Sequence, residues 1–153
     1  MKPTPPGWPR ISTALSYEQP RAAIEWLRRA FGFELRLLVE GDGDRIEHSE
    51  LVFGEGVIMV ADRKEHYPWR RAPSQLDGAN TQSMMIYVDD AEAQHRRIRE
   101  AGGARMLGAV ETHDYGEDHW ADRGFEVVDP GGHHWWFFER LRTPGQPAQE
   151  TRA

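Results

Sequence analysis

The stretch STALSYEQPRAAIEWLRRAFG, residues 12–32, is matched in pattern by SMMIYVDDAEAQHRRIREAGG, residues 83–103, at an offset of 71 residues. Five aligned positions are identical, and the apolar pairs Leu15/Ile86, Tyr17/Val88 and Leu27/Ile98 are kept. A repeat at a fixed offset indicates two copies of one supersecondary unit, each of which needs further structure to bury its apolar face.

The first copy predicts a strand followed by a helix. Large residues at 11, 13, 15 and 17 alternate with the small residues Ser12, Ala14 and Ser16, which is typical of a half-buried strand. Pro20 suits a first helical turn, the spacing of residues 24, 27 and 31 predicts one buried helix face, and Gly32 predicts its end. Strands are then expected over 34–40, 46–53 and 57–61, with turns at 41–44 and 54–56.

The second copy repeats this order. Asp89 is the predicted cap of a helix that ends at Gly102-Gly103, and strands are expected over 104–111, 123–128 and 133–139. Residues 114–120 are expected to form a loop-like insertion before the strand at 123–128. The sequence therefore predicts an α+β fold class with two tandem βαβββ units. We expect one domain over residues 10–141, made of unit one at 10–62, a connector at 63–82 and unit two at 83–141, with an arm at 1–9 and a tail at 142–153.

Composition bounds the function. The chain has 153 residues, no cysteine and a formal net charge of −6, and its arginines are interleaved with carboxylates. Nucleic acid is an unfavourable partner for such a surface, because binding to phosphates needs a clustered positive field. No apolar run reaches the roughly 18 residues of a membrane span. We expect a cytoplasmic protein without a membrane partner.

The closing segment resembles a known family. The paired units, the helix exit AIEWLRRAFGF at 23–33, and Tyr115-Gly116 followed by DPGGHHWWFF at 129–138 resemble the vicinal oxygen chelate superfamily, in its bleomycin-resistance-like branch. The resemblance implies a cup-shaped mixed sheet with helices on the convex face, and a homodimer.

Metal-dependent members of that superfamily hold a divalent ion with His, Gln or Glu from the first and last strand of each unit. Those positions correspond here to Ser12, Met59, Ser83 and Trp136. Hydroxyl, thioether and indole groups do not replace imidazole and carboxylate ligands. We therefore predict no metal and no other cofactor.

Glu47 and Glu50 are three apart on a strand, so their side chains face opposite ways and do not form a catalytic pair. We interpret both as solvated charges at the edge of the sheet.

Strand parity predicts a ligand-binding wall. The predicted contact residues are expected on the same face of the sheet as the small residues of the first strand. These contact residues are Ser12, Ala14, Met59, Ser83, Met85, Tyr87, His134, Trp136 and Phe138. Two tryptophans in loops, Trp69 and Trp120, are candidate lids. Trp135 and Phe137 have the opposite parity and are expected beneath the helices. Alternatively, Trp136 and Met59 fill the cup as core.

The leading hypothesis is a metal-independent protein that binds an aromatic or amphipathic small molecule and sequesters a natural product such as an antibiotic. The alternative is an enzyme. It would be either a lyase or isomerase that uses a pocket histidine, with His134 as the candidate, or a carboxylate, or else a metal enzyme with displaced ligands. A structural or partner-binding protein with a filled cup is a third possibility.

Overall fold

The computed structural model describes residues 1–62, 64 and 67–145. The chain divides into two compact units, Met1–Ala79 and Asn80–Ala153. The boundary falls inside the predicted connector at 63–82. Each unit contains a strand, a helix and further antiparallel strands, so the predicted α+β class and βαβββ repeat are confirmed. Of the predicted tail, residues 146–153 lie outside the described residues.

Unit one forms a four-stranded sheet. Its elements are β1 (Thr13–Leu15), α1 (Pro20–Trp26), β2 (Glu34–Glu40), β3 (Ile46–Phe53) and β4 (Gly56–Val60). The strand order is β1-β4-β3-β2, with β1 parallel to β4 and the other pairs antiparallel. Strand β3 is therefore an interior strand, paired on both sides.

The helix of unit one ends in a widened turn. Residues Leu27–Phe31 form a π-helical turn after α1, and the Gly32 amide donates to the Leu27 carbonyl at 3.1 Å. Gly32 ends the turn at a φ of 97°, in the left-handed region where glycine is favoured. Ile24, Leu27 and Phe31 are buried, as their spacing predicts.

Unit two forms a five-stranded sheet. Its elements are β5 (Met84–Tyr87), α2 (Ala91–Ala101), β6 (Arg105–Met106), β7 (Glu111–Asp114), β8 (Ala121–Val128) and β9 (His134–Arg142). The order is β5-β9-β8-β6, and β7 also pairs with β8. The predicted strand at 104–111 is wrong in its extent, because two short strands pair with different parts of β8. Residue 142, predicted in the tail, is the last residue of β9.

The helix α2 is capped by Asp90 and not by the predicted Asp89. Asp90 is the N-cap, and its Oδ1 accepts a hydrogen bond from the Ala93 amide at 2.8 Å. Asp89 lies one residue too early to reach that amide. The helix packs against β8 and β9.

The turn before β9 is built around one buried carboxylate. Asp129 Oδ1 accepts hydrogen bonds from the amides of Gly131 at 2.9 Å and His133 at 3.0 Å. Its Oδ2 accepts from the indole nitrogen of Trp135 at 2.9 Å. The Asp-Pro-Gly-Gly segment therefore sets where β9 begins and which face Trp135 occupies. No helix in the described part of the chain is long and apolar enough to cross a membrane.

Candidate functional site

The two faces of the sheet in unit two differ sharply. Trp135 and Phe137 on β9 are fully buried. The alternating residues Trp136 and Phe138 are only half-buried, and they pair with Met85 and Tyr87 on β5. Alternation along a strand places these four side chains on one face. We call Met85, Tyr87, Trp136 and Phe138 the aromatic face.

The aromatic face presents large apolar groups to solvent. Met85 is 59% exposed and Tyr87 is 46% exposed. The rings of Trp136 and Phe138 are parallel, with centroids 5.8 Å apart. Side chains of this kind offer much contact area with few polar requirements. The arrangement suits a planar or amphipathic molecule.

A histidine and a carboxylate stand beside this face. Glu126 on β8 pairs with Trp136, and its Oε1 lies 2.6 Å from Nδ1 of His134. Both side chains are partly exposed. Glu126 is hydrogen-bonded to Nδ1, so the second ring nitrogen, Nε2, takes no part in this contact. Sequence reasoning missed Glu126, although its position on the strand paired with β9 places it next to His134.

Arg140 holds the other end of the aromatic face. Its Nε donates to the buried Asp122 Oδ1 at 2.5 Å, and a terminal nitrogen donates to the Tyr87 hydroxyl. The guanidinium also lies over the rings of Tyr87, at 5.1 Å, and Trp120, at 5.8 Å. The hydrogen bond to Asp122 raises the pKa of Arg140. Arg140 is therefore a fixed cation that positions the side chains of Tyr87 and Trp120.

The remaining predicted residues of unit two lie near these elements. Ser83 is exposed and immediately precedes β5. Trp120 is 38% exposed, and its ring lies 5.2 Å from that of Tyr115 in the turn between β7 and β8.

Unit one contains a cavity of about 380 Å³. Ala14 and Met59, which pair across β1 and β4, are among its lining residues. Ser12 precedes β1 and is not in that lining, and Trp69 is 69% exposed beside Tyr67.

The lining of this cavity also includes His48, which sequence reasoning missed. The sequence feature that could have identified His48 is its i, i+2 spacing to Glu50, which places both side chains on one face of β3.

The interpretation of Glu50 as a solvated edge charge is wrong. Glu50 lies on the interior strand β3 and is 9% exposed. Its Oε2 accepts from Arg36 Nε at 2.8 Å, and its Oε1 lies 3.2 Å from His48 Nε2. Burial opposes ionisation of Glu50, but the hydrogen bonds from His48 and Arg36 outweigh it and lower the pKa.

The family's metal positions do not fit a divalent ion here. Met59 pairs with Ala14, and Trp136 pairs with Met85, so neither strand pair brings an imidazole or carboxylate to these positions. Across the described ranges, no three His, Asp or Glu side chains gather closely enough to hold a metal ion. Glu50 on β3 and Glu126 on β8 are each hydrogen-bonded to a histidine.

The sequence profile of the Glyoxalase/Bleomycin resistance protein/Dioxygenase superfamily matches residues 11–137. The chain belongs to this superfamily. The match spans both units, from just before β1 into β9.

Two similar solved structures have this fold, and a relative matches most of the chain in sequence. TioX from Micromonospora sp. ML1 is 28% identical, with a TM-score of 0.64 over 92% of this chain and 99% of TioX. Protein PA1353 from Pseudomonas aeruginosa, at 20% identity and a TM-score of 0.60 over 86% of this chain and 97% of its own, shows the fold alone. The uncharacterized protein Mb0911c of Mycobacterium bovis is 27% identical over 93% of this chain and 86% of its own length.

Proposed function

We propose that this superfamily member is a metal-independent binding protein that sequesters a small aromatic or amphipathic molecule, such as a natural product or antibiotic. The aromatic face carries the proposal, because Met85 and Tyr87 are exposed beside the parallel rings of Trp136 and Phe138. Large apolar side chains gathered on one exposed face are typical of binding sites. Covering about 200 Å² of such surface contributes about 5 kcal/mol before the cost of association.

We propose a cytoplasmic homodimer, since the chain has no cysteine and resembles a dimeric branch of the superfamily. Its acidic net charge of −6 favours neutral or cationic ligands over anionic ones.

Tryptophan fluorescence and thermal unfolding test the binding role. Acridine and anthraquinone should quench fluorescence and raise Tm, because a ligand that binds the native state stabilises it. Cyclohexanol, which lacks an aromatic plane, should do neither. Met85→Ala should weaken acridine binding about fivefold or more, while Leu76→Ala, which truncates an exposed apolar residue of unit one, should not. Equal binding by the two variants would contradict the proposal.

One observation favours an enzyme as the second candidate. The Glu126–His134 pair is the arrangement of a general base whose orientation is set by a carboxylate. Mass spectrometry of a tightly bound molecule before and after incubation separates the two roles. Recovery of the unchanged molecule supports binding alone, and conversion that is lost in His134→Ala supports an enzyme.

A further inference from the structure

The N-terminal arm is joined to the cavity of unit one by a continuous chain of contacts. Arg36 on β2 donates from Nη1 to the Gly7 carbonyl, and its guanidinium lies 4.9 Å from the ring centroid of Trp8. The same guanidinium binds Glu50, which in turn is hydrogen-bonded to His48. We call Trp8, Arg36, Glu50 and His48 the relay.

The relay restrains the side chain of His48. Gly7 has a φ of +73°, and a Cβ at this position would lie 3.1 Å from Arg36 Nη1, so the arm approaches Arg36 closely. Because Arg36 and His48 hold different oxygens of Glu50, the carboxylate has little freedom to rotate. A carboxylate that accepts from Nε2 favours the imidazole tautomer with its hydrogen there. In the neutral imidazole, Nδ1 of His48 is then a hydrogen-bond acceptor.

The cavity that His48 lines is amphipathic. Ala14, Met59 and Ala61 supply apolar wall near this histidine. The described lining also holds three carboxylates and two cations, Glu18, Glu47, Asp62, Lys64 and Arg70. Lys64 Nζ lies 3.6 Å from Glu47 Oε2, so part of this charge is internally compensated. An excess of carboxylates disfavours an anionic ligand.

We propose that the cavity of unit one is a second binding site, for a small neutral molecule with an apolar body and a hydroxyl donor, and that His48 Nδ1 accepts that hydroxyl. A phenol has this chemistry. Glu50, Arg36 and Trp8 are positioning residues that act through His48. The described lining residues of this cavity all belong to unit one, whereas the aromatic face belongs to unit two.

The test compares p-cresol with 4-methylanisole at about pH 8, where a phenol of tyrosine type keeps its proton and an ordinary imidazole is neutral. The two probes have similar shapes, but the methyl ether has no donor. Titrations on full-length protein labelled with 15N at histidine are expected to show about tenfold tighter binding of the phenol, with the largest shift at His48 Nδ1. Equal affinities, or an unmoved His48 resonance, would overturn the proposal.

Variants separate the site from general effects. His48→Phe should abolish the preference for the phenol, whereas His113→Phe, an exposed position on β7, should keep it. Met85→Ala should also keep it, so failure of the aromatic face and failure of this cavity are distinguishable. If His48→Phe does not fold, the comparison of the two probes on the wild type still decides.

The positioning roles have a spectroscopic readout. In the wild type, two-bond 1H–15N couplings should show the Nε2–H tautomer at His48. Glu50→Gln and Arg36→Ala should shift His48 towards a mixture of tautomers, and Arg36→Lys should restore part of the wild-type pattern because the cation is kept. An unchanged tautomer in Glu50→Gln would overturn the positioning role.

Discussion

Gly124 on β8 is the residue that makes room for the ring of Phe138. A Cβ at Gly124 would lie 2.3 Å from Phe138 Cδ1 and 2.4 Å from the carbonyl oxygen of Phe137. The second contact is with backbone, so rotation of the ring alone does not relieve it. The aromatic face therefore depends on a residue that contributes no side chain.

Replacing Gly124 with alanine tests this dependence. We expect Gly124→Ala to lower the free energy of unfolding by about 1–3 kcal/mol, as overpacking does, measured by urea denaturation. Gly41→Ala is the matched control, because its Cβ meets the partly exposed side chain of Glu47, which can move away. Losses of equal size would argue against a special role for Gly124.

Glu50 links stability to pH. Its pKa is lowered in the folded protein from the ordinary value of 4.5. A carboxylate with a lowered folded pKa stabilises the protein above its unfolded pKa, and this contribution is lost as the pH falls through the folded value. Protonation of Glu50 therefore removes the contribution of its hydrogen bonds to the free energy of unfolding.

Glu50→Gln should therefore lower the free energy of unfolding at pH 7, by about 1–3 kcal/mol for a lost charged hydrogen-bond partner. The difference from wild type should shrink below about pH 4. Urea denaturation across this range provides the measurement. Glu34→Gln, at an exposed position, is the control at pH 7. A pH-independent difference would refute the link.

At the scale of elements, the start of α2 depends on one side chain. Asp90 caps the helix by accepting from the Ala93 amide, while the adjacent Asp89 precedes the cap. We expect Asp90→Ala to lower the free energy of unfolding by about 1 kcal/mol. Asp89→Ala changes the same charge and should have less than half that effect in the same denaturation experiment. The reverse order would restore Asp89 as the cap.

Element boundaries followed the sequence where local geometry decides them. Pro20 and Gly32 bound the helical segment of unit one as predicted, because a fixed φ and a left-handed φ are properties of those residues. The π-turn at Leu27–Phe31 and the division of β6 from β7 were not predicted. Both depend on how these segments pair and pack, and the residues at 104–111 are compatible with one strand or two.

The same distinction applies to the candidate site. Alternation along β9 was enough to predict the burial of Trp135 and Phe137, because the period of two is intrinsic to a strand. The environment of Glu50 was not predictable, since a register irregularity in β2 lies at Arg36 and the arm returns to that residue. These contacts join positions far apart in the sequence.

At the scale of the whole molecule, metal content provides a decisive measurement. We expect near-zero zinc, nickel, manganese and iron by elemental analysis, even after dialysis against each ion, because hydroxyl, thioether and indole groups occupy the family's ligand positions. Stoichiometric metal would favour the metal-dependent enzyme instead.

Light scattering tests the proposed assembly. The chain has a mass of 17.6 kDa. A homodimer should therefore give about twice the chain mass at micromolar concentration. A concentration-independent mass of one chain would refute the dimer.

The sequence by itself determined the repeated βαβββ units, the superfamily and the inward and outward parity of β9. These follow from local periodicity, from turn residues and from motifs read along the chain. The tertiary structure alone decided that Glu50 is buried between Arg36 and His48, that Glu126 meets His134, and that Arg140 holds Tyr87 and Trp120. The physical reason is that the hydrogen bonding and burial of a polar side chain depend on which strands lie beside it, and strand neighbours are set by long-range pairing.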